Sequence, residues 1–367
     1  MKNNRRGFLA KLSLAGSLTA LIAPMSLPAN ADTDVFGALV QVPPSTNYSP
    51  TALSGNGRFV ASMSRADYLS DNDENGNDND TFLLDRSTGK YLMVSVDSDG
   101  NQLTGGGRAR IPVAVDDSGE HVLLGNYFMR LGSAAFLYSS DSGTAQQLPF
   151  NVPLDMSEDG SVIAYLASGT GDSLSLFTYT LSTGQKDLIA ADISDGSYVP
   201  SVDISANGQQ VAFTTKAALN GADSNDLENV YVFDRVTMST QFVSNTPGSK
   251  SKLAGMSNDG SLVGFWDDSG IYGFHPETNA VETITGVNGP DSVMMSNSGS
   301  LLLIKDWPYL HLKDTTSGES QVISRDPRGV YGVGDDGTVA FVSSKAYAEY
   351  DNNDALDLYL MQISLGQ

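Results

Sequence analysis

An all-β fold, a seven-bladed β-propeller of four-stranded antiparallel blades, is what this 367-residue sequence predicts, on three observations. A short polar turn ending in glycine recurs between apolar runs. A second turn follows it at a similar offset in most repeats. The last repeat lacks one strand, while an apolar segment without a repeat of its own stands near the beginning.

The repeat is clearest in residues 198–243, where strands are predicted at 201–205, 210–215, 230–234 and 240–243. Asn207-Gly208 separates the first two. Asn-Gly between apolar runs is a strong hairpin signal, and its usual two-residue turn needs positive φ at both positions. The same frame appears at Leu53-Ser54-Gly55-Asn56-Gly57, Asp116-Asp117-Ser118-Gly119, Ser157-Glu158-Asp159-Gly160, Ser257-Asn258-Asp259-Gly260, Ser296-Asn297-Ser298-Gly299 and Gly334-Asp335-Asp336-Gly337. The closing glycines lie 38 to 62 residues apart, which brackets the period of propeller blades.

The second turn is Ser87-Thr88-Gly89, Asp141-Ser142-Gly143, Ser182-Thr183-Gly184, Glu277-Thr278-Asn279 and Thr316-Ser317-Gly318, which gives four strands per unit. Runs such as 121–124, 230–233 and 301–304 are almost continuously apolar, as expected of strands covered on both faces by neighbouring sheets. The final unit offers strands at 330–333, 338–343 and 356–363 only. Residues 35–42, VFGALVQV, supply the missing outer strand, and that pairing closes the ring and removes an exposed edge.

Residues 1–31 read as a cleaved export signal and 32–367 as a single propeller domain. The leader holds Arg5-Arg6-Gly7-Phe8-Leu9, a diluted apolar run at 12–23 and the small-residue site Ala29-Asn30-Ala31. It resembles a twin-arginine signal, and that resemblance implies a periplasmic or secreted mature protein. With no cysteine, the chain has neither a disulfide framework nor a thiol nucleophile. Loss of Lys2, Arg5, Arg6 and Lys11 takes the formal charge from −22 to −26, a surface that repels nucleic acid and anionic headgroups. No nucleic-acid partner and no membrane insertion after cleavage are therefore expected.

The Ser-x-Asp/Asn-Gly turn followed by an apolar strand (208–213), and the Asp-x-Asn loop before an apolar-Tyr/Phe-apolar strand (223–233), resemble the TolB-like, or WD-type, β-propeller repeat family. The resemblance spans the mature chain and implies the fold. It does not imply TolB's docking role, because no segment remains for the separate α/β domain of that protein.

In a four-stranded meander the glycine turns occupy one end of the ring, and the longer loops share the other. Candidate sites are expected on the loop side. Six cations stand just before inner strands there: Arg108, Arg110, Lys250, Lys252, Arg325 and Arg328. Ringing a channel mouth in an acidic protein, they would select an anion, with arginine offering a planar fork to carboxylate or phosphate. The plainer reading is charge balance with nearby aspartates.

Three loops on the same side alternate carboxylates and amides, the pattern a hard cation such as Ca²⁺ requires. Blade one carries Asp71, Asp73, Asn75 and Asp80. Blade four carries Asp223 and Asn225, and blade seven carries Asp351 and Asn353. An EF-hand is excluded because Phe82 stands where its closing glutamate would be. The plainer reading is that Asp and Asn cap their own turns.

His121, His275 and His311 are the three histidines, and all fall on predicted strands away from the loop side, so no serine-histidine or multi-histidine constellation forms. The expected function is a binding module for a cell-envelope protein or for an anionic small molecule or saccharide. The alternative is a hydrolase or lyase on an anionic polysaccharide, which a carboxylate pair opening into the channel beside the cations would favour.

Overall fold

The computed structural model describes residues 39–42, 51–65, 69–70, 73–76, 78–103, 110–126, 134–219, 221, 223, 226–244, 249–287, 289–345, 347 and 356–365, with backbone alone for 39–42 and Asn126. The leader, residues 35–38, Asp71, Arg108, Asn225, Asp351 and Asn353 lie outside the described residues.

The first strand, β1 (Leu39–Val42), belongs to the last blade. Blade one is β2 (Thr51–Leu53), β3 (Phe59–Ser64), β4 (Asp80–Asp85) and β5 (Lys90–Met93). Blade two is β6 (Arg110–Val115), β7 (His121–Asn126), β8 (Phe136–Ser139) and β9 (Thr144–Gln147). Blade three is β10 (Pro153–Met156), β11 (Val162–Ser168), β12 (Leu174–Thr180) and β13 (Gln185–Ser194). Blade four is β14 (Val202–Ile204), β15 (Gln210–Thr215), β16 (Asn229–Asp234) and β17 (Ser239–Phe242). Blade five is β18 (Lys252–Met256), β19 (Val263–Asp267), β20 (Gly270–His275) and β21 (Ala280–Thr285). Blade six is β22 (Ser292–Met295), β23 (Leu301–Asp306), β24 (Tyr309–Asp314) and β25 (Ser320–Arg325). Blade seven is β26 (Pro327–Val333), β27 (Thr338–Ser343) and β28 (Asp357–Gln362), and β1 completes it in the order β1-β28-β27-β26.

Each blade is an antiparallel meander, and the inner strands β2, β6, β10, β14, β18, β22 and β26 touch one another in a closed circle. The ring is closed as expected, with Leu39 opposite Met361 and Val42 opposite Leu358. The core is shared among the blade interfaces. Seven apolar clusters lie one between each adjacent pair. Phe213 and Tyr231 of blade four, for example, pack with Leu166 and Leu176 of blade three, all fully buried. This is why the middle strands read as continuous apolar runs: both faces of each sheet are covered. Removing one such ring, as in Phe213→Ala, would cost about 3–5 kcal/mol.

The turn chemistry differs from the expected two-residue hairpin. Among the described residues, only Gly208 of the Asn207-Gly208 pair has positive φ, at 69°. The Ser205 N–H instead donates to the Gln210 carbonyl at 3.0 Å, and Gly208 N–H donates to the Ser205 carbonyl at 2.8 Å, so the loop is wider. Asn207 acts through its side chain: its Oδ1 accepts from Ser205 Oγ at 3.1 Å and from Gln209 N–H at 3.0 Å. Ser157-Glu158-Asp159-Gly160 repeats this, with Ser157 Oγ donating to Asp159 Oδ1 and accepting from Val162 N–H. The recurring Ser-x-Asn/Asp-Gly pattern is thus a side-chain-capped turn needing one left-handed residue.

Candidate functional site: the central channel and its two mouths

At the turn side the blades are tied to one another. Asp117 N–H donates to the Glu158 carbonyl (3.0 Å), Asp159 N–H to Ala206 (3.2 Å), Ala206 N–H to Asn258 (2.9 Å) and Asn258 N–H to Asn297. Ser298 N–H then donates to Asp335 Oδ1 (2.6 Å), Asp335 N–H to the Gly55 carbonyl (2.8 Å) and Asn56 N–H to Asp117 Oδ1 (2.8 Å). Every blade contributes, so the turns form an unbroken circle of hydrogen bonds.

Glu158 lies across this mouth. From blade three it reaches Gly55 of blade one so closely that a Cβ there would stand 2.0 Å from Oε1, so a larger residue at 55 would push the Glu158 side chain aside. Asn258 of blade five donates to the same carboxyl when its amide nitrogen faces Glu158. Burial, then the fields of Asp117, Asp335 and Asp203, push the Glu158 carboxyl up to about 9. It therefore keeps its proton at neutral pH and shares a hydrogen bond with Asp117, whose own carboxyl burial also pushes up.

Behind this plug, inner strands from all the blades enclose a cavity of about 300 Å³. The residue two places before each turn's opening residue (Ser, Asp or Gly) is Ala52, Ala114, Asp155, Asp203, Gly255, Met294 and Gly332 in blade order, so most are small and two are carboxylates. Asp155 Oδ2 accepts from Ile204 N–H of the next blade, and Asp203 Oδ2 accepts from Met256 N–H of the blade after, each at 2.9 Å. The pair thus links three successive inner strands. Burial raises both carboxyls, and the Asp203 charge raises Asp155 further, so together they retain a proton at neutral pH.

Asp203 also lines a second cavity of about 350 Å³ that opens among blades four, five and six toward the loop side, with Ser201, Lys252, Trp266, Asp291 and Ser292 around it. The Lys252 Nζ stands 4.3 Å from the Trp266 ring centroid, an exposed ammonium on an aromatic face.

The other sequence-predicted cations do different things. Arg110 is turned into its blade: its Cζ lies 3.4 Å from the Phe136 ring centroid, Nη1 donates to the Val96 carbonyl at 2.8 Å, and burial lowers its pKa to about 10. Lys250 is exposed on the approach to β18. Arg325 lies 5.8 Å from the Tyr309 ring, and Arg328 lies 5.5 Å from the Trp307 ring while pairing with Asp326 at 3.2 Å. Among the described residues, Lys252 is the predicted cation that lines the second cavity.

In the blade-one loop, Asp73 Oδ1 accepts from Asn75 N–H, Gly76 N–H and Gln102 Nε2, all at 3.0 Å. Asp80 accepts from Ser95 Oγ at 2.7 Å and from Gln102 Nε2 at 2.9 Å, and burial raises its carboxyl. In blade four, Asp223 accepts from Tyr231 Oη at 2.5 Å and from Asn229 Nδ2 at 3.2 Å. These carboxylates cap turns and anchor the start of the third strand. Among the described residues, no group of three or more His, Asp or Glu side chains is gathered as a metal ion would need.

Two parts of the site escaped the sequence reading. Glu158 sits at a turn position whose side chain varies from blade to blade. Asp155 and Asp203 could have been found by aligning the repeats, since they are the carboxylates in a column otherwise filled by Ala, Gly and Met.

No protein-family model matches the chain, and no curated protein matches its sequence. Solved structures do share its fold. An oligogalacturonate lyase in complex with manganese superposes with a TM-score of 0.62 at 14% identity, covering 94% of this chain and 97% of that one. The oligogalacturonate lyase from Vibrio parahaemolyticus gives 0.62 at 13% identity, covering 93% and 96%. TolB from Acinetobacter baumannii is also among the similar structures, with a TM-score of 0.43 at 15% identity and 87% of each chain covered. At these identities the likeness is one of fold.

Proposed function

We propose that this chain is an exported propeller that binds an anionic saccharide at the loop-side mouth of its channel. The observation that carries the reading is the second cavity, where an exposed ammonium lies on an indole face above hydroxyls and a half-buried carboxyl. Trp266, 6% exposed, holds the lysine in place; the ammonium suits the carboxylate of an acidic sugar, and Ser201, Ser292 and Asp291 suit its hydroxyls. The fold shared with oligogalacturonate lyases supports a uronic-acid ligand. The leader supports export. Titration calorimetry with galacturonic acid tests the reading: Lys252→Ala should weaken binding about tenfold, by an amount that shrinks as salt rises. Equal binding by parent and variant at low salt would sink it.

The Asp155–Asp203 pair favours a second reading, cleavage of such a saccharide. A pair holding one proton offers a donor to a leaving oxygen and an acceptor beside it, and Asp203 faces the cavity that Lys252 lines. Release of shorter products from oligogalacturonate by the parent, lost in Asp203→Asn with binding retained, would establish this reading. Binding without turnover in the parent would remove it.

A further inference from the structure

Trp307 and Tyr309 are 52% and 38% exposed, and among the described residues they are the two exposed aromatic side chains. They flank Pro308 in the turn between β23 and β24, on the loop side. A pair of rings left in water at one turn is an uneconomical arrangement unless something covers them.

The turn is held from both sides. Trp307 N–H donates to Asp291 Oδ2 at 3.1 Å, and Asp291 N–H donates to the Lys305 carbonyl at 2.9 Å. On the other flank Asp326 N–H donates to the Pro308 carbonyl at 2.7 Å. The rings therefore stand on a fixed backbone, so little ordering is left for a ligand to impose.

Each ring has an arginine beside it. Arg325 is the cross-strand partner of Tyr309, and half-exposed Arg328 stands next to Trp307. Asp291, which anchors Trp307, is itself a wall of the Lys252–Trp266 cavity, so ring platform and cavity adjoin.

We infer that Trp307 and Tyr309, flanked by Arg325 and Arg328, form a stacking subsite beside the cavity, so that the ligand is a linear oligomer of acidic sugars. This rests on the proposed binding function and adds its length and direction: from the Lys252–Trp266 cavity across Asp291 to the rings of blade six. Two exposed rings, each with a guanidinium over it, repeat the cation–ring pairing of Lys252 with Trp266. A polymer that alternates an apolar ring face with a carboxylate matches that repetition.

The test is calorimetry with galacturonic acid and its dimer, trimer and tetramer on the full chain. The parent should bind the tetramer about tenfold or more tightly than the monomer. Trp307→Ala and Tyr309→Ala should bind the monomer as the parent does and lose most of the gain with length, while Trp307→Phe keeps part of it. Arg328→Ala should reduce the gain for the acidic tetramer and leave weak binding of its methyl ester unchanged. The same length dependence in parent and Trp307→Ala overturns the subsite while the cavity reading stands. A parent that binds none of the four overturns both.

Discussion

The two mouths of the channel are built on opposite plans. On the turn side the same short motif recurs in every blade, its backbone is knitted into a circle of hydrogen bonds, and a protonated glutamic acid closes the centre. On the loop side, among the described residues, Arg110, Lys252, Arg325 and Arg328 stand over aromatic rings, and a cavity opens to solvent. The circle of hydrogen bonds fastens the ring at the turn side, so the presented loop-side residues are free to vary without loosening it. Substitutions on the turn side should change stability, and those among the presented loop-side residues should change binding.

Between the two mouths, the largest expected effect is at Gly334. Five blades carry serine at its position, so Gly334→Ser looks like a repair toward the repeat. A Cβ there, however, would stand 2.5 Å from the Gly57 Cα and 2.9 Å from the Gly57 nitrogen, both backbone atoms that cannot swing away. The turns of blades seven and one would be forced apart, and a loss of about 3 kcal/mol is expected in urea unfolding. A stabilised variant would show that the turns do not bind the ring.

Arg110→Ala sharpens the comparison from the loop side. Its stacking on Phe136 and its hydrogen bond to Val96 make it a fastener, unlike Lys252. Loss of about 2 kcal/mol of stability is expected, with saccharide affinity unchanged. The reverse pattern would place Arg110 among the presented cations.

Glu158→Gln tests the plug through pH. The Glu158 pKa is raised in the folded state, so between about 4.5 and 9 the unfolded chain has released a proton that the folded chain still holds. Stability contributed at this position therefore falls as pH rises through that window. The amide has no proton to lose, and the variant should gain on the parent by roughly 3 °C in melting temperature between pH 5 and pH 9, allowing for solvent that reaches the carboxyl through the channel. A gap that does not widen with pH would mean that Glu158 is charged.

The smallest effect is expected in blade two, where Asp116 replaces the turn serine and pairs with His121 at 2.9 Å. The bond to Asp116, opposed by burial, raises the His121 pKa. The pair's stabilisation is complete below the unfolded value near 6.5 and fades as pH rises through the folded one. His121→Asn should cost up to about 1 kcal/mol at pH 5.5 and less at pH 8.5. Equal cost at both would assign the histidine a packing role.

Much of the fold was legible because glycine turns and doubly covered strands leave local marks. Gly208 must be left-handed, and residues 211–213 and 230–233 must be apolar on both faces, whatever the rest of the ring does. The site was less legible because its parts meet only once the ring closes. Glu158 and Gly55 are far apart in sequence, and nothing local marks one as the plug and the other as its seat. Arg110 and Lys252 occupy equivalent places before inner strands, yet a phenylalanine and a carbonyl capture one while the other faces a cavity. The inter-blade clamp of Arg235, which bonds the Gly208 carbonyl at 2.6 Å and the Asp187 carboxylate at 3.0 Å of the preceding blade, had a signal in its Asp-Arg pair. Arg86 repeats that pair in blade one, bonding Gly57 and Asp336.

The pairing of β1 with β28 also decides how the ring responds to force. Because Leu39 faces Met361 and Val42 faces Leu358, the leading end of β1 and the trailing end of β28 lie at the same end of the strand pair. Tension between those ends falls on the first hydrogen bonds alone and opens the pair like a zip, one rung after another, rather than shearing all the rungs together. A load carried through the two ends of the propeller would part it at its one seam between sequence-distant strands, and a load carried from loop face to turn face would spare that seam.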